Sequence, residues 1–412
     1  MKILYINHYA GTPSLGMEYR PYYLAREWVR AGHEVTMVAA NFSHVRTRQP
    51  QAGQENVDGI IYHWLPTPSY RGNGLGRVKN IWSFLRQVWQ MAPALAADCK
   101  PDVVIASSTY PMDIWVARHI AKRASAKLVF EVHDLWPLSP IEIGGMSPKH
   151  PFIRVCQAAE NAAYRDSDLV VSMLPNISPH AAAKGLPAFR LEIVPNGISY
   201  EDCSDVVAPP LRADVTAVLD AVRAVGHSVI AYTGSHGLPN ALDTLLDAAA
   251  LLRDETFSFV FVGDGHERAR LQARVIAENL NHVYLLDPIP KAQVLGLLGR
   301  VQAAYLGAPR HPLYRFGVSP NKMLDYMLAS TPILYAIEAG NNPIAEASCG
   351  ITIPAENAVA LAEAIRHVGT LPESQRQAMG DNGRRYALQH HTYDVLAAKF
   401  LDAVQRVSPR TS

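Results

Sequence analysis

A chain of 412 residues, 49% hydrophobic and only 18% charged, with a formal net charge of +1, describes a folded protein of more than one domain and a sizeable core. No basic tract is present to bind nucleic acid through bulk charge. The four cysteines, Cys99, Cys156, Cys203 and Cys349, show neither CxxC nor Cys/His spacing, which argues against structural zinc and a disulfide framework. The opening MKILYINHYA turns polar too soon for a secretory signal and no apolar run would cross a bilayer, so the expected location is the cytoplasm.

KILYIN reads as a buried strand, HYAGTPSLGMEYR as a glycine-containing loop and YYLAREWVRAGHEV as a helix leading into the strand VTMVAA. That succession opens a doubly wound sheet. Gly11 and Gly16 either admit a ligand close to the backbone or only give the loop freedom. Residues 41–76 are polar and rich in Pro and Gly, so an irregular segment is expected around the strand IIYHWL.

In RVKNIWSFLRQVWQM, the residues Val78, Ile81, Trp82, Leu85, Val88 and Trp89 form one helical stripe, with Arg77, Lys79, Arg86 and Gln87 elsewhere. A helix at 77–91 with two tryptophans and flanking cations suits peripheral contact with the inner face of a membrane, or a lipid-linked substrate. The same pattern suits a helix packed on a sheet.

DVVIAS is the next strand, Pro111 to Arg123 a helix, and KLVFEV a strand running into His133-Asp134-Leu135-Trp136-Pro137. Residues at the carboxyl ends of buried parallel strands are where open α/β sheets hold ligands, which singles out His133; a structural pair of His133 with Asp134 is the competing reading. Asp166-Ser167-Asp168 spells a DxD pattern able to hold a cation on a diphosphate, but Asp168 directly precedes LVVSM and reads as the start of that strand.

From Ser199 to Val225 the pattern loosens around Pro209-Pro210, giving a first domain over 1–198, a second over 199–390, and a tail helix at 391–412 able to cross back onto the first. HSVIAYTG ends in Gly234-Ser235-His236-Gly237-Leu238-Pro239-Asn240 and FSFVFVG in Gly263-Asp264-Gly265. No GxGxxG follows a strand, which argues against a dinucleotide oxidoreductase. The expected fold is α/β, two doubly wound Rossmann-like domains facing across a cleft.

The most informative stretch is FGVSPNKMLDYMLASTPIL, residues 316–334. Pro320 pre-sets a helical φ, Ser319 is placed to cap, and Met323, Leu324, Met327 and Leu328 recur at helical spacing, so a helix begins near Asn321. Its free N–H groups, its dipole and Lys322 favour an anion, most simply a diphosphate. Asp325, one turn further on, suits two vicinal hydroxyls such as those of a ribose; an ordinary surface ion pair would use the same residue.

In this order, HYAGTPSLGMEYRPYYLAREWVRAGHEVTMVAA, FEVHDLWPLSPIEIGGM, LEIVPNGI, YTGSHGLPNALDTLLDAA, FVGDG and SPNKMLDYMLASTPIL resemble family-4 glycosyltransferases of the GT-B fold, nearest the bacterial fucosaminyltransferase-like branch of surface-polysaccharide assembly. The resemblance implies retaining transfer of a sugar, such as an N-acetylated amino sugar, from a UDP-linked donor to a sugar or lipid-linked acceptor, with no metal and no other cofactor. It implies that Asp325 holds the donor ribose, that Gly234 and Ser235 approach the diphosphate, that His133 sits at the donor sugar and β-phosphate, and that Gly16 closes on the phosphates. Asn240, Gly263, Ser319 and Asn321 complete the expected donor-binding set. The chain departs from the family at Gly317, where relatives carry a glutamate, and at Ser235 and Asn240, near which they carry an arginine and a lysine. Lys322 is therefore the expected charge on the departing diphosphate, acting with His133 as a catalytic residue and supported by Arg310 or Arg315. A nucleotide-sugar 2-epimerase on the same fold is the alternative, disfavoured by the lost carboxylate at Gly317, and a non-catalytic nucleotide-binding subunit is a further one.

Overall fold

Short apolar runs alternating with striped helices produce two parallel sheets, one in each of two units. The computed structural model describes residues 1–16, 18–72, 74–201 and 209–408. Cys99, Cys156 and Cys349 are free thiols, and Cys203 lies outside the described residues.

The first unit comprises residues 1–196 and 393–412. Its sheet contains β1 (Lys2–Ile6), β2 (Glu34–Ala40), β3 (Gly53–Val57), β4 (Ile60–Leu65), β5 (Val103–Ala106), β6 (Lys127–Val132), β7 (Leu169–Ser172) and β8 (Leu191–Ile193), in the order β3-β4-β2-β1-β5-β6-β7-β8. All neighbours are parallel except β3 and β4. Strands covered on both faces need continuous apolar sequence, and β5 and β7 are buried throughout. The order reverses between β1 and β5, so the loops after these strands diverge and leave room for ligand-binding groups.

The second unit, residues 197–392, is built around β9 (Ser228–Thr233), β10 (Phe257–Val262), β11 (Val283–Leu286), β12 (Ala303–Gly307), β13 (Ile333–Ala336) and β14 (Gly350–Thr352), all parallel, in the order β11-β10-β9-β12-β13-β14. Its reversal lies between β9 and β12.

Three details differ from the sequence reading. The 41–76 segment contains a second strand, the polar β3, which pairs antiparallel with β4 through a turn at Asp58 and Gly59, both with positive φ. An exposed edge strand has no core face to reveal it in the sequence. Within the loosened stretch, Ala213–Ala224 is a helix whose Val215, Leu219 and Val222 pack with Val229, Val260 and Leu297.

The helix at 77–91 spans Leu75–Ala94 and buries Asn80, Ile81, Phe84, Leu85, Val88 and Ala92, while Trp82 and Trp89 are 44% and 48% exposed. Trp82 therefore stands outside the packed stripe, while Trp89 stacks on His119 with ring centroids 4.0 Å apart. As expected, the tail helix returns to the first unit: it spans Tyr393–Arg406, the Trp28 indole donates to the Ala397 carbonyl at 3.0 Å and Tyr23 stacks on Tyr393.

Candidate active site

In the second unit, the ends of β9 and β10 converge. Gly234 has φ +129° and Gly263 has φ +156°; a Cβ on Gly263 would fall 1.8 Å from the Gly234 carbonyl oxygen. Only glycine allows the two strand ends to lie this close. A Cβ on Gly234 would lie 3.4 Å from Lys322 Nζ, which places that ammonium directly beside the loop.

Lys322 enters from the helix Asn321–Leu328, whose N-cap is Pro320 and not Ser319; no cap side chain bonds to its first turn. The loop ahead of it is held by Asn341, which accepts from the Val318 N–H at 2.8 Å and donates to the Val318 carbonyl at 3.0 Å. The Lys322 ammonium donates to the Tyr232 hydroxyl at 2.8 Å and to Asn240 Oδ1 at 2.5 Å. Tyr232 and Asn240 in turn donate to the Ser235 carbonyl, at 2.6 and 2.9 Å. Gly234, Ser235, Asn240 and Lys322 thus form one cluster, organised by Tyr232. Burial lowers the Lys322 pKa to about 8, with Asp325 opposing that shift.

Asp325 is buried and paired with Lys291, at the start of the helix Lys291–Leu298. Burial pushes its carboxyl above the ordinary range, opposed by Lys291 and Lys322. Asn321 is exposed on the first turn. The Arg310 guanidinium bonds to Glu338, and Arg315 donates to the Pro312 carbonyl and lies over the Phe316 ring.

His236 also sits here. It is fully buried, neither ring nitrogen has a hydrogen-bond partner among the described residues, and burial with Arg268 lowers its pKa.

In the first unit, His133 follows β6, and its Nε2 lies 2.8 Å from Ser107 Oγ and 3.3 Å from Glu131 Oε2. Glu131 is fully buried and pairs with Arg20 at 2.8 Å, itself buried. An unpaired carboxylate here would cost several kcal/mol. Burial raises the Glu131 pKa, but Arg20 and His133 more than reverse this and hold it well below the usual carboxylate range. Asp134 is not the partner of His133: its carboxylate accepts from the Leu135 N–H, the Trp136 indole and the Ser139 hydroxyl, fixing the turn after the strand.

Gly16 has φ +93° and closes a turn with Thr12; a Cβ there would meet Thr47 Oγ1 at 2.8 Å. Packing against Thr47 by itself requires glycine at this position. The DxD pair is structural. Asp166 bonds Arg118 and Arg165, and Asp168 accepts from the Leu128 N–H, at the amino end of β7 and away from the strand ends that carry His133.

Residues 16–197 match the family model for a glycosyl transferase 4-like domain, and residues 227–370 match that for glycosyl transferases group 1. The chain is a two-domain glycosyltransferase of the GT-B fold. This glycosyltransferase is 22% identical to glycosyltransferase WbjE of Pseudomonas aeruginosa over 77% of its own length and 78% of that protein. It is 24% identical to the colanic acid biosynthesis glycosyl transferase WcaI of Escherichia coli K12, over 84% and 87%. Its fold matches Anabaena HepE, solved in complex with UDP and glucose, with a TM-score of 0.65 at 16% identity, covering 99% of this chain and 100% of that one.

Sequence reasoning missed Glu131, Arg20, Tyr232, Lys291 and His236. A signal existed for Glu131, a charged residue in the apolar run KLVFEV, whereas Tyr232 and Lys291 come to the site only through tertiary packing. Among the described residues no helix is long and apolar enough to cross a membrane.

Proposed function

We propose that this glycosyltransferase moves a sugar from a UDP-linked donor to a hydroxyl of a sugar or lipid-linked acceptor in surface-polysaccharide assembly, with retention of configuration and without a metal. The observation that carries the donor assignment is the Lys322 ammonium. Two of its three protons go to Tyr232 and Asn240 at a helix N-terminus beside Gly234, leaving one for an anionic oxygen. Asp325 then serves the ribose hydroxyls, and Gly263 allows the close backbone approach. The names of WcaI and of the UDP-bound HepE structure support the pathway class and the nucleotide. The choice of an N-acetylated amino sugar rests on the fucosaminyltransferase-like resemblance.

In the reaction, the bond between the anomeric carbon and the diphosphate breaks and a new bond to the acceptor oxygen forms on the same face. The acceptor proton passes to the departing phosphate oxygen. Lys322 stabilises the charge that develops there, and His133 contacts the reacting sugar; positioning and electrostatics do most of the work. The half-exposed Trp82 and Trp89, with Lys79 and Arg86 on the same helix, would rest on the membrane that carries a lipid-linked acceptor.

A thermal-shift panel of UDP-, GDP- and dTDP-sugars tests the donor, because only ligands of the native state raise its melting temperature. UDP-sugars should give the largest shift, and no shift with any nucleotide sugar would overturn the reading. NMR of the product's anomeric proton tests retention, and full activity in excess chelator tests independence from metal.

A further inference from the structure

The hydrogen bonds around Glu131 favour one arrangement of their protons. The carboxylate is ionised and can only accept. The Tyr5 hydroxyl donates to Oε2 at 2.5 Å and the Ser107 hydroxyl donates to the same oxygen at 2.6 Å, while Arg20 donates to Oε1 from Nε and Nη2 at 3.0 and 2.8 Å. Ser107 has one proton, and it is spent on Glu131. Its oxygen can then only accept, which it does from the Asn7 amide at 3.1 Å. His133 Nε2, 2.8 Å from that oxygen and 3.3 Å from Glu131 Oε2, must carry a hydrogen. The reverse arrangement would turn the Nε2 lone pair toward a carboxylate and deprive Glu131 of a donor.

We propose that Glu131 is a positioning residue for His133: through Ser107 it fixes a proton on Nε2 and with it the orientation of the ring, so that Nδ1 is the nitrogen left to meet a ligand. Arg20 makes this durable. It is anchored to the Val194 and Pro195 carbonyls at 2.8 and 2.5 Å as well as to Glu131, so the carboxylate keeps its charge and orientation inside the sheet. Tautomer control by a buried carboxylate is familiar from catalytic triads, where the wrong tautomer disables an otherwise intact site.

The consequence for ligand chemistry rests on the function proposed above. Whenever the ring is neutral its lone pair lies on Nδ1, which then accepts from a sugar hydroxyl and has no proton to offer a phosphate oxygen. In that form His133 recognises a hydroxyl of the transferred or accepting sugar, and the diphosphate is left to Lys322.

Long-range 1H–15N correlation spectra of histidine-labelled protein, recorded without substrate at a pH where the ring is neutral, read the tautomer directly. The His133 signals are assigned by their loss in His133→Gln. The wild type should show Nε2 protonated and Nδ1 bare; a ring protonated on Nδ1 would overturn the proposal whatever the enzyme's activity. In Glu131→Gln the amide can donate to Ser107, freeing that hydroxyl to donate to His133, so the pattern should mix or reverse. The kcat should fall by more than about tenfold. An unaltered tautomer with unaltered kcat would equally overturn it. Should Glu131→Gln fail to fold because Arg20 loses its partner, Ser107→Ala breaks the same relay without a charge change and should release the tautomer. The Nε2–H tautomer in a protein that transfers no sugar would sustain the positioning role and defeat only the proposed reaction.

Discussion

The Lys322 ammonium donates to Asn240 Oδ1 at 2.5 Å, so the first turn of one helix and the loop after β9 share a single cation. The Tyr232 hydroxyl takes a second proton at 2.8 Å, and this fixes the direction in which the third points. Preorganised donors of this kind are worth about 100- to 1,000-fold in kcat when removed. Lys322→Ala should lose turnover on that scale with an unchanged far-UV spectrum, and Lys322→Arg should recover part of it. Wild-type-like turnover in Lys322→Ala would remove the residue from the reaction. Asn240→Ala should weaken donor binding by about tenfold, the cost of one charge-assisted hydrogen bond.

The same burial makes the cluster sensitive to alkali. With a pKa of about 8, the Lys322 charge is complete below neutrality and is lost as the pH rises through that value, so donor affinity should decline above pH 8. A bound diphosphate restores the proton. Calorimetric titration of UDP at pH 8.5, in buffers of differing ionisation enthalpy, should therefore register proton uptake, and Lys322→Met should abolish it.

Asp325 presents a different trade. Lys291, largely exposed, neutralises it in the unliganded protein, and ribose hydroxyls would have to share or replace that contact. Lys291→Ala leaves the buried Asp325 carboxylate without its ion pair and should lower the melting temperature of the free protein. The shift produced by UDP should grow. A UDP-induced shift smaller than in the wild type would mean instead that Lys291 itself binds the nucleotide.

Gly263→Ala should be among the most damaging single changes in the second unit. The added carbon would meet a backbone oxygen at 1.8 Å, at a φ that side chains rarely adopt, and a backbone cannot swing aside as a side chain can. A loss of about 2 kcal/mol or more is expected in denaturant titration. Nucleotide binding should be lost with it, because the displaced partner is Gly234.

Trp82 and Trp89 supply a prediction independent of the nucleotide site. Replacing both with alanine should abolish co-sedimentation with anionic vesicles while leaving transfer to a soluble acceptor intact. Unchanged sedimentation would mean that the exposed indoles do not contact lipid.

The alternation of elements was legible because parallel strands buried on both faces are written as continuous apolar runs, such as VVIA and LVVS, and the helix Asn321–Leu328 because Pro320 and the Met323–Leu328 spacing mark its limits. Strand β3 was hidden for the converse reason: GQENV is polar along its whole length. At the site, glycine turns and the lone lysine could be read from local pattern. Tyr232, alternating within SVIAYT, looks like any core aromatic until the fold brings its hydroxyl to Ser235 and Lys322. Lys291 and Asp325 are likewise joined only by tertiary packing, and a single sequence carries no sign of such long-range pairs.

The last helix has a bearing on how the chain acquires its structure. Because Leu396, Phe400 and Val404 pack into the same core as Trp28, Tyr5 and Ile105, the first unit stays unfinished while the whole second unit is being synthesised. The middle of the chain, uninterrupted from 197 to 392, can fold as soon as it emerges, whereas the first unit must wait for a helix made after the second unit is complete. A ribosome that stops shortly before residue 393 would release a protein with a mature second unit and a first unit whose apolar seam is still open to chaperones and proteases.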